Sequence, residues 1–214
     1  YFVAELWACW VRYSRKYLLS LRKPLLSGRS FVDLFKDARA IADLGCGFGY
    51  ATATLKELWP NATVMGTELG GTTQFKIAQH LGDQLGFTVE SEVSRPVNLI
   101  FASEYFEHHR QPISHLLQIL KSACPKYLII ANSFGSRNVG HFKIYLDDAG
   151  QAVTGKIIGR RFNSILRAHG YSLLESRFWN HRPSIWALAG EPRPEMALHN
   201  HLSLFKARDL PRVI

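Results

Sequence analysis

Cysteine is scarce in this 214-residue chain. The three thiols, Cys9, Cys46 and Cys124, are odd in number and far apart. That excludes a disulfide framework and leaves no C-x-x-C pair to hold zinc. A reducing compartment, the cytoplasm, is the expected location. No apolar run approaches the roughly 20 residues that span a bilayer. No repeat or low-complexity tract appears. Acidic residues are outnumbered, 17 against 26 Lys and Arg, giving a net charge of +9. The excess lies in the flanks: +5 over residues 1–40, −2 over 41–155 and +6 over 156–214. Basic flanks can steer an anionic partner such as nucleic acid, or simply be solvated. The chain begins at Tyr1, which leaves room for a segment upstream.

Several ligand signatures are also missing. The turn Asp43-Leu-Gly45-Cys46-Gly47-Phe-Gly49 follows an apolar stretch. A dinucleotide fingerprint needs a third glycine at position 50, where Tyr50 stands. A P-loop needs a lysine that the turn lacks. Glycines here still signal backbone that approaches a ligand. Glu68, at the end of the next apolar segment, can accept hydrogen bonds from a ribose diol. Asp43 adds negative charge where a phosphate would be repelled. The pair suits an adenosine that carries a positive group.

What is present is an alternation. Ala40–Leu44, Thr63–Glu68, Thr88–Glu90, Val97–Ala102 and Tyr127–Ala131 read as strands. Tyr50–Leu58, Thr72–Leu85, Pro112–Ala123 and Arg160–His169 read as helices. Ser172–Phe178 and Ser184–Ala189 read as closing strands. Residues 3–22 read as an amphipathic helix, broken at Pro24 and Gly28, and 31–36 as a short one. Ser133–Gly155 reads as a loop containing Gly135, Gly140, Gly150 and Gly155. Strands alternating with helices of about ten residues predict βαβ units around a mainly parallel sheet. Ligands bind such sheets at the carboxyl ends of their strands.

The glycine turn with Glu68 resembles the first two motifs of the class I S-adenosylmethionine-dependent methyltransferases. The likeness continues through VNLIFASEYFEHHRQ, which resembles the family's fourth strand and E-x-x-E-H loop, and through YLIIANSFG. It closes on RRFNSILRAHGYSLLE and SIWALAG, covering about residues 38–190. The E-x-x-E-H loop is similar to that of the ubiquinone-pathway O-methyltransferases and the small-RNA 2′-O-methyltransferases. The resemblance implies a Rossmann-like, doubly wound α/β fold. Its seven-stranded sheet would be mainly parallel with the last strand antiparallel. A helical cap or lid would span 1–39, the cofactor domain 40–190 and a tail 191–214. Trp7, Trp10 and Tyr17 would line an acceptor pocket beneath the lid.

By the same resemblance, Asp43, Gly45, Cys46, Gly47, Gly49, Glu68, Leu69, Ala102 and Ser103 would border S-adenosyl-L-methionine. Glu107, His108 and His109 would serve the acceptor, with imidazole matched to proton transfer near neutrality. Glu104, Glu107, His108 and His141 could hold Mg²⁺ or Mn²⁺, or else simply shape the loop. The D/N-P-P-Y and P-C signatures of base-directed enzymes are absent. A small-molecule acceptor with an O or N nucleophile is expected ahead of RNA or DNA. A cofactor-binding module without turnover, inside a larger assembly, is the reading from another class.

Overall fold

The computed structural model describes residues 17–25, 27–135, 140–176 and 183–191. The expected helix over 3–22 and its lid role fall largely outside them, with Trp7 and Trp10 among the residues beyond. Leu18–Arg22, within the described part, form a single 3₁₀ stretch.

Nine strands form. They are β1 (Ala40–Leu44), β2 (Thr63–Thr67), β3 (Thr88–Glu90), β4 (Leu99–Ser103), β5 (Tyr127–Ala131), β6 (Ile144–Leu146), β7 (Ala152–Thr154), β8 (Tyr171–Ser176) and β9 (Ser184–Leu188). The α-helices are α1 (Phe31–Leu34), α2 (Tyr50–Leu58), α3 (Thr73–Leu85), α4 (Pro112–Ala123) and α5 (Gly155–Ala168). Seven strands make one sheet in the order β3-β2-β1-β4-β5-β9-β8. All neighbours from β3 to β5 are parallel, and β9 runs antiparallel to both β5 and β8. This is the expected Rossmann-like sheet.

Local chemistry sets the boundaries. Thr72 caps α3, its hydroxyl accepting from Phe75 N at 3.1 Å, and Gly86 closes it in the left-handed region. Pro112 starts α4 where its missing N–H costs nothing, and Cys124 ends it with φ +44° before Pro125. The strands alternate in side-chain direction, so each supplies both faces. Ala42, Ile100, Ala102, Leu128, Ile130 and Trp186 pack with α4 and α5. Ile41, Leu99, Phe101, Tyr127, Ile129 and Ile185 pack with α2 and the 18–38 segment. Each fully buried Leu, Ile or Phe contributes roughly 1.5–3 kcal/mol. Two cores on either side of one sheet therefore lock its register.

Ser133–Gly155 is not loop throughout. β6 and β7 pair as an antiparallel ribbon. The Asp147 carboxylate accepts from Ala149 N, Gln151 N and Arg161 at 2.8–3.1 Å, which ties the ribbon's turn to α5. Helix α5 also begins at Gly155 rather than at Arg160. Gly155 and Gly159 disguise that first turn as loop, although neither glycine prevents it from forming.

Strands β1, β2 and β3 build outward on one side, and β4 then returns to the other side of β1. The loops after β1 and β4 thus diverge at the sheet's switch point, where a crevice opens.

Candidate functional site

The crevice is walled by the turn after β1, the end of β2 and the loop after β4. A cavity of about 360 Å³ lies between Gly45, Thr67, Glu68, Leu69, Tyr105 and His109, with Glu104, His108 and Ser91 also at its edge. The turn is knit to β2. Cys46 N donates to Thr67 O at 2.8 Å and Gly45 N to Thr67 Oγ1 at 3.3 Å. Gly45 has φ +67°, and a Cβ there would stand 2.6 Å from Tyr105 Cδ2. Only a residue without a side chain lets the tyrosine ring lie against the backbone.

Both oxygens of Glu68 are held. Gly47 N donates to Oε2 and Leu69 N to Oε1, each at 2.9 Å. The carboxylate is thereby fixed at the cavity wall with lone pairs to spare. The Leu69 side chain is 73% exposed at the cavity rim. Asp43 stands deeper and is fully enclosed. It accepts from Thr52 Oγ1 at 2.7 Å, and burial, with the Glu68 charge nearby, pushes its carboxyl up to about 7. Cys46 is buried as well, its thiol pushed up by burial and by the Asp43 and Glu68 charges. Asp43, Cys46, Gly47, Gly49, Ala102 and Ser103 support the turn and strand ends behind this cavity; Gly45, Glu68 and Leu69 border it.

The loop after β4 carries the second group. Glu104 adopts φ +52°, a conformation costing an ordinary residue about 1–2 kcal/mol. It is held by Glu104 N to Ala131 O at 2.8 Å and by Ser133 Oγ donating to its carboxylate at 2.9 Å. The 3₁₀ turn Phe106–His108 then buries Glu107 completely. Ser133 N donates to Glu107 Oε1 at 2.7 Å. Burial, reinforced by the charge of Glu104, raises the Glu107 carboxyl to about 7. Ser133, which touches both carboxylates, was not anticipated; nothing in the sequence distinguishes it.

Glu104, Glu107 and His141 bring one ligand atom each to within 4.8 Å of one another. His108 stands beside them, its ring centroid 4.8 Å from that of His141 and its Nδ1 3.1 Å from Gly140 O. Since a carbonyl only accepts, Nδ1 carries the proton and Nε2 keeps its lone pair. Four buried side-chain atoms have no hydrogen-bond partner among the described residues: Ser103 Oγ, Glu107 Oε2, Asn132 Oδ1 and His141 Nδ1. They lie at the end of β4, in the 3₁₀ turn, just after β5 and on His141, and orphaned buried polar atoms are costly. Two carboxylates and one imidazole with spare lone pairs fit a small divalent cation such as Mg²⁺ or Mn²⁺.

His109 has a different setting. Its ring stacks on that of His115 at 3.9 Å, and burial, then His115 and His108, pull it down to about 4. At neutral pH it is a neutral imidazole of low basicity. His115 in turn bonds the Tyr105 hydroxyl at 2.7 Å. Neither Tyr105 nor His115 stood out in the sequence, since their contact spans a turn and the start of α4.

No family model matches the chain, and no curated protein matches it. Solved structures do. EvdMO1 aligns with TM-score 0.52 and 16% identity over 74% of this chain and 39% of that one. The mitomycin 7-O-methyltransferase MmcR aligns at TM-score 0.49 and 13% identity, over 72% and 50%. A putative O-methyltransferase from Klebsiella pneumoniae aligns at 0.49 and 16%, over 74% and 77%. The chain spans half the length of MmcR and less of EvdMO1. At these identities the likeness is one of fold. No helix among the described residues is long and apolar enough to cross a membrane.

Proposed function

We propose that this chain is an S-adenosylmethionine-dependent methyltransferase acting on an O or N nucleophile of a small-molecule acceptor. One observation carries the reading: the Glu68 carboxylate, pinned by Gly47 N and Leu69 N, borders a cavity that Gly45 of the glycine turn also lines. A fixed carboxylate there accepts the two hydroxyls of a ribose and repels a pyrophosphate. The cofactor supplies a methyl group on a sulfonium that leaves as a neutral thioether.

The protein's task is alignment and exclusion of water. Glu68 orients the ribose, and the turn at Gly45–Gly47 leaves room for the amino-acid end. His108 Nε2, on the acceptor side of the same cavity, is placed to take the acceptor's proton. The neutral His109 is placed to accept a hydrogen bond from the acceptor. Glu107 holds the loop through Ser133 and stands behind the cavity wall.

The cluster Glu104–Glu107–His141 favours a second reading, metal-assisted transfer to a ribose hydroxyl of RNA. Those three residues, with His108 adjacent, would hold Mg²⁺ or Mn²⁺. The ion would supply a lowered pKa at the acceptor hydroxyl.

Calorimetric titration with S-adenosylmethionine and S-adenosylhomocysteine tests the primary reading. Micromolar binding is expected, weakened at least thirtyfold in Glu68→Ala, about 2 kcal/mol for charge-assisted bonds to two hydroxyls. Undiminished binding in that variant would remove Glu68 from the site, and no binding by the wild type would remove the activity.

A further inference from the structure

We propose that Tyr105 reads the cofactor's charge: its ring, seated against Gly45 and anchored to His115, is the wall on which the sulfonium rests. The inference builds on the cofactor reading above. In the cofactor the sulfur joins the ribose 5′ carbon to the amino-acid chain. With the ribose at Glu68 and the amino-acid end along the glycine turn, the sulfur must fall between Glu68 and Gly45. Tyr105 occupies that interval, bordering the same cavity as both residues. Its Cδ2 is where a Cβ on Gly45 would collide, and the Glu68 charge is near enough to perturb its hydroxyl.

The ring is also held still. Its hydroxyl meets His115 Nε2 at 2.7 Å, and its centroid lies 4.7 Å from His109 and 5.2 Å from Phe106. A fixed, electron-rich ring lining a partly enclosed cavity attracts a cation that reaches its face. It does nothing comparable for a neutral thioether. The arrangement favours the charged cofactor over its demethylated product and helps release that product after transfer.

The test is the ratio of dissociation constants, S-adenosylhomocysteine over S-adenosylmethionine, measured calorimetrically. Tyr105→Phe keeps the ring but frees it from His115, and should lower the ratio by no more than about two- to threefold. Tyr105→Leu removes it and should lower the ratio roughly three- to tenfold. A change confined to packing would weaken both ligands in parallel, leaving the ratio unchanged, and would overturn the proposal. Should Tyr105→Leu fail to fold, His115→Ala frees the ring and should lower the ratio about two- to threefold; an unchanged ratio there also overturns it. Binding of neither ligand by the wild type would overturn the cofactor reading itself, and this inference with it. A normal wild-type affinity with an unchanged ratio overturns this inference alone.

Discussion

Replacing Gly45 with alanine sets a methyl group against the tyrosine that walls the cavity. Two costs add. The backbone stands at φ +67°, where an L side chain loses about 1 kcal/mol or slightly more. The new Cβ would also lie 2.6 Å from Tyr105 Cδ2 and 3.3 Å from Cε2. Cδ2 is near the root of the ring, and the hydroxyl at the far end is tied to His115, so the ring cannot swing aside freely. Forcing a methyl into such a contact costs about 1–3 kcal/mol. Gly45→Ala should therefore destabilise the fold by about 2–4 kcal/mol. Gly47 supplies the control. Its φ is +55°, yet a Cβ there meets nothing within 4 Å, so Gly47→Ala should cost only the backbone share, about 1 kcal/mol. Urea denaturation of both variants in parallel reads the difference. The double variant Gly45→Ala/Tyr105→Leu should remove most of the excess, since the colliding atom is gone. Equal losses for the two alanines, or no coupling to Tyr105, would refute the close approach.

Two other outcomes are expected. Burial raises the Asp43 carboxyl from 3.8 to about 7, so its favourable share of stability is complete below pH 3.8 and is lost as pH rises through 7. Asp43→Asn keeps an acceptor for Thr52 and lacks the charge; its stability relative to wild type should grow by up to about 4 kcal/mol between pH 4 and pH 8, and parallel pH–stability curves would contradict this. On the metal-assisted reading, titration with Mn²⁺, followed by electron paramagnetic resonance, should show one bound ion, with affinity lowered at least tenfold in Glu107→Gln and less in Ser133→Ala; equal binding by wild type and Glu107→Gln would count against a metal at this cluster.

Much of this architecture was legible because it rests on strong local signals. Apolar runs such as YLIIA are fully buried strands, and the glycine turn after β1 announces itself by residues that only a tight, exposed backbone needs. Glu68 was legible through its place at a strand end. What stayed hidden depends on contacts between distant segments. The three-residue strands β6 and β7 carry too little apolar pattern to rise above a glycine-containing stretch, and they are held by Asp147 reaching back to Gln151 and across to Arg161. Ser133 looks like any loop serine until β5 delivers it between two carboxylates. Tyr105 and His115 are ten residues apart, and only the turn at Phe106–His108 folds one onto the other. The same turn separates neighbours: His108 bonds Gly140 O through Nδ1 and lies edge-on to His141, while His109 stacks on His115 and stays neutral. A run of two histidines therefore holds two different chemistries, decided by which side of one turn each occupies.

The cofactor site is tested most directly by diffraction from crystals grown with S-adenosylhomocysteine. The ribose hydroxyls should lie within hydrogen-bond distance, about 2.6–3.2 Å, of the Glu68 carboxylate, with the sulfur beside the Tyr105 ring. A cofactor bound elsewhere, or a ribose turned away from Glu68, would contradict this placement.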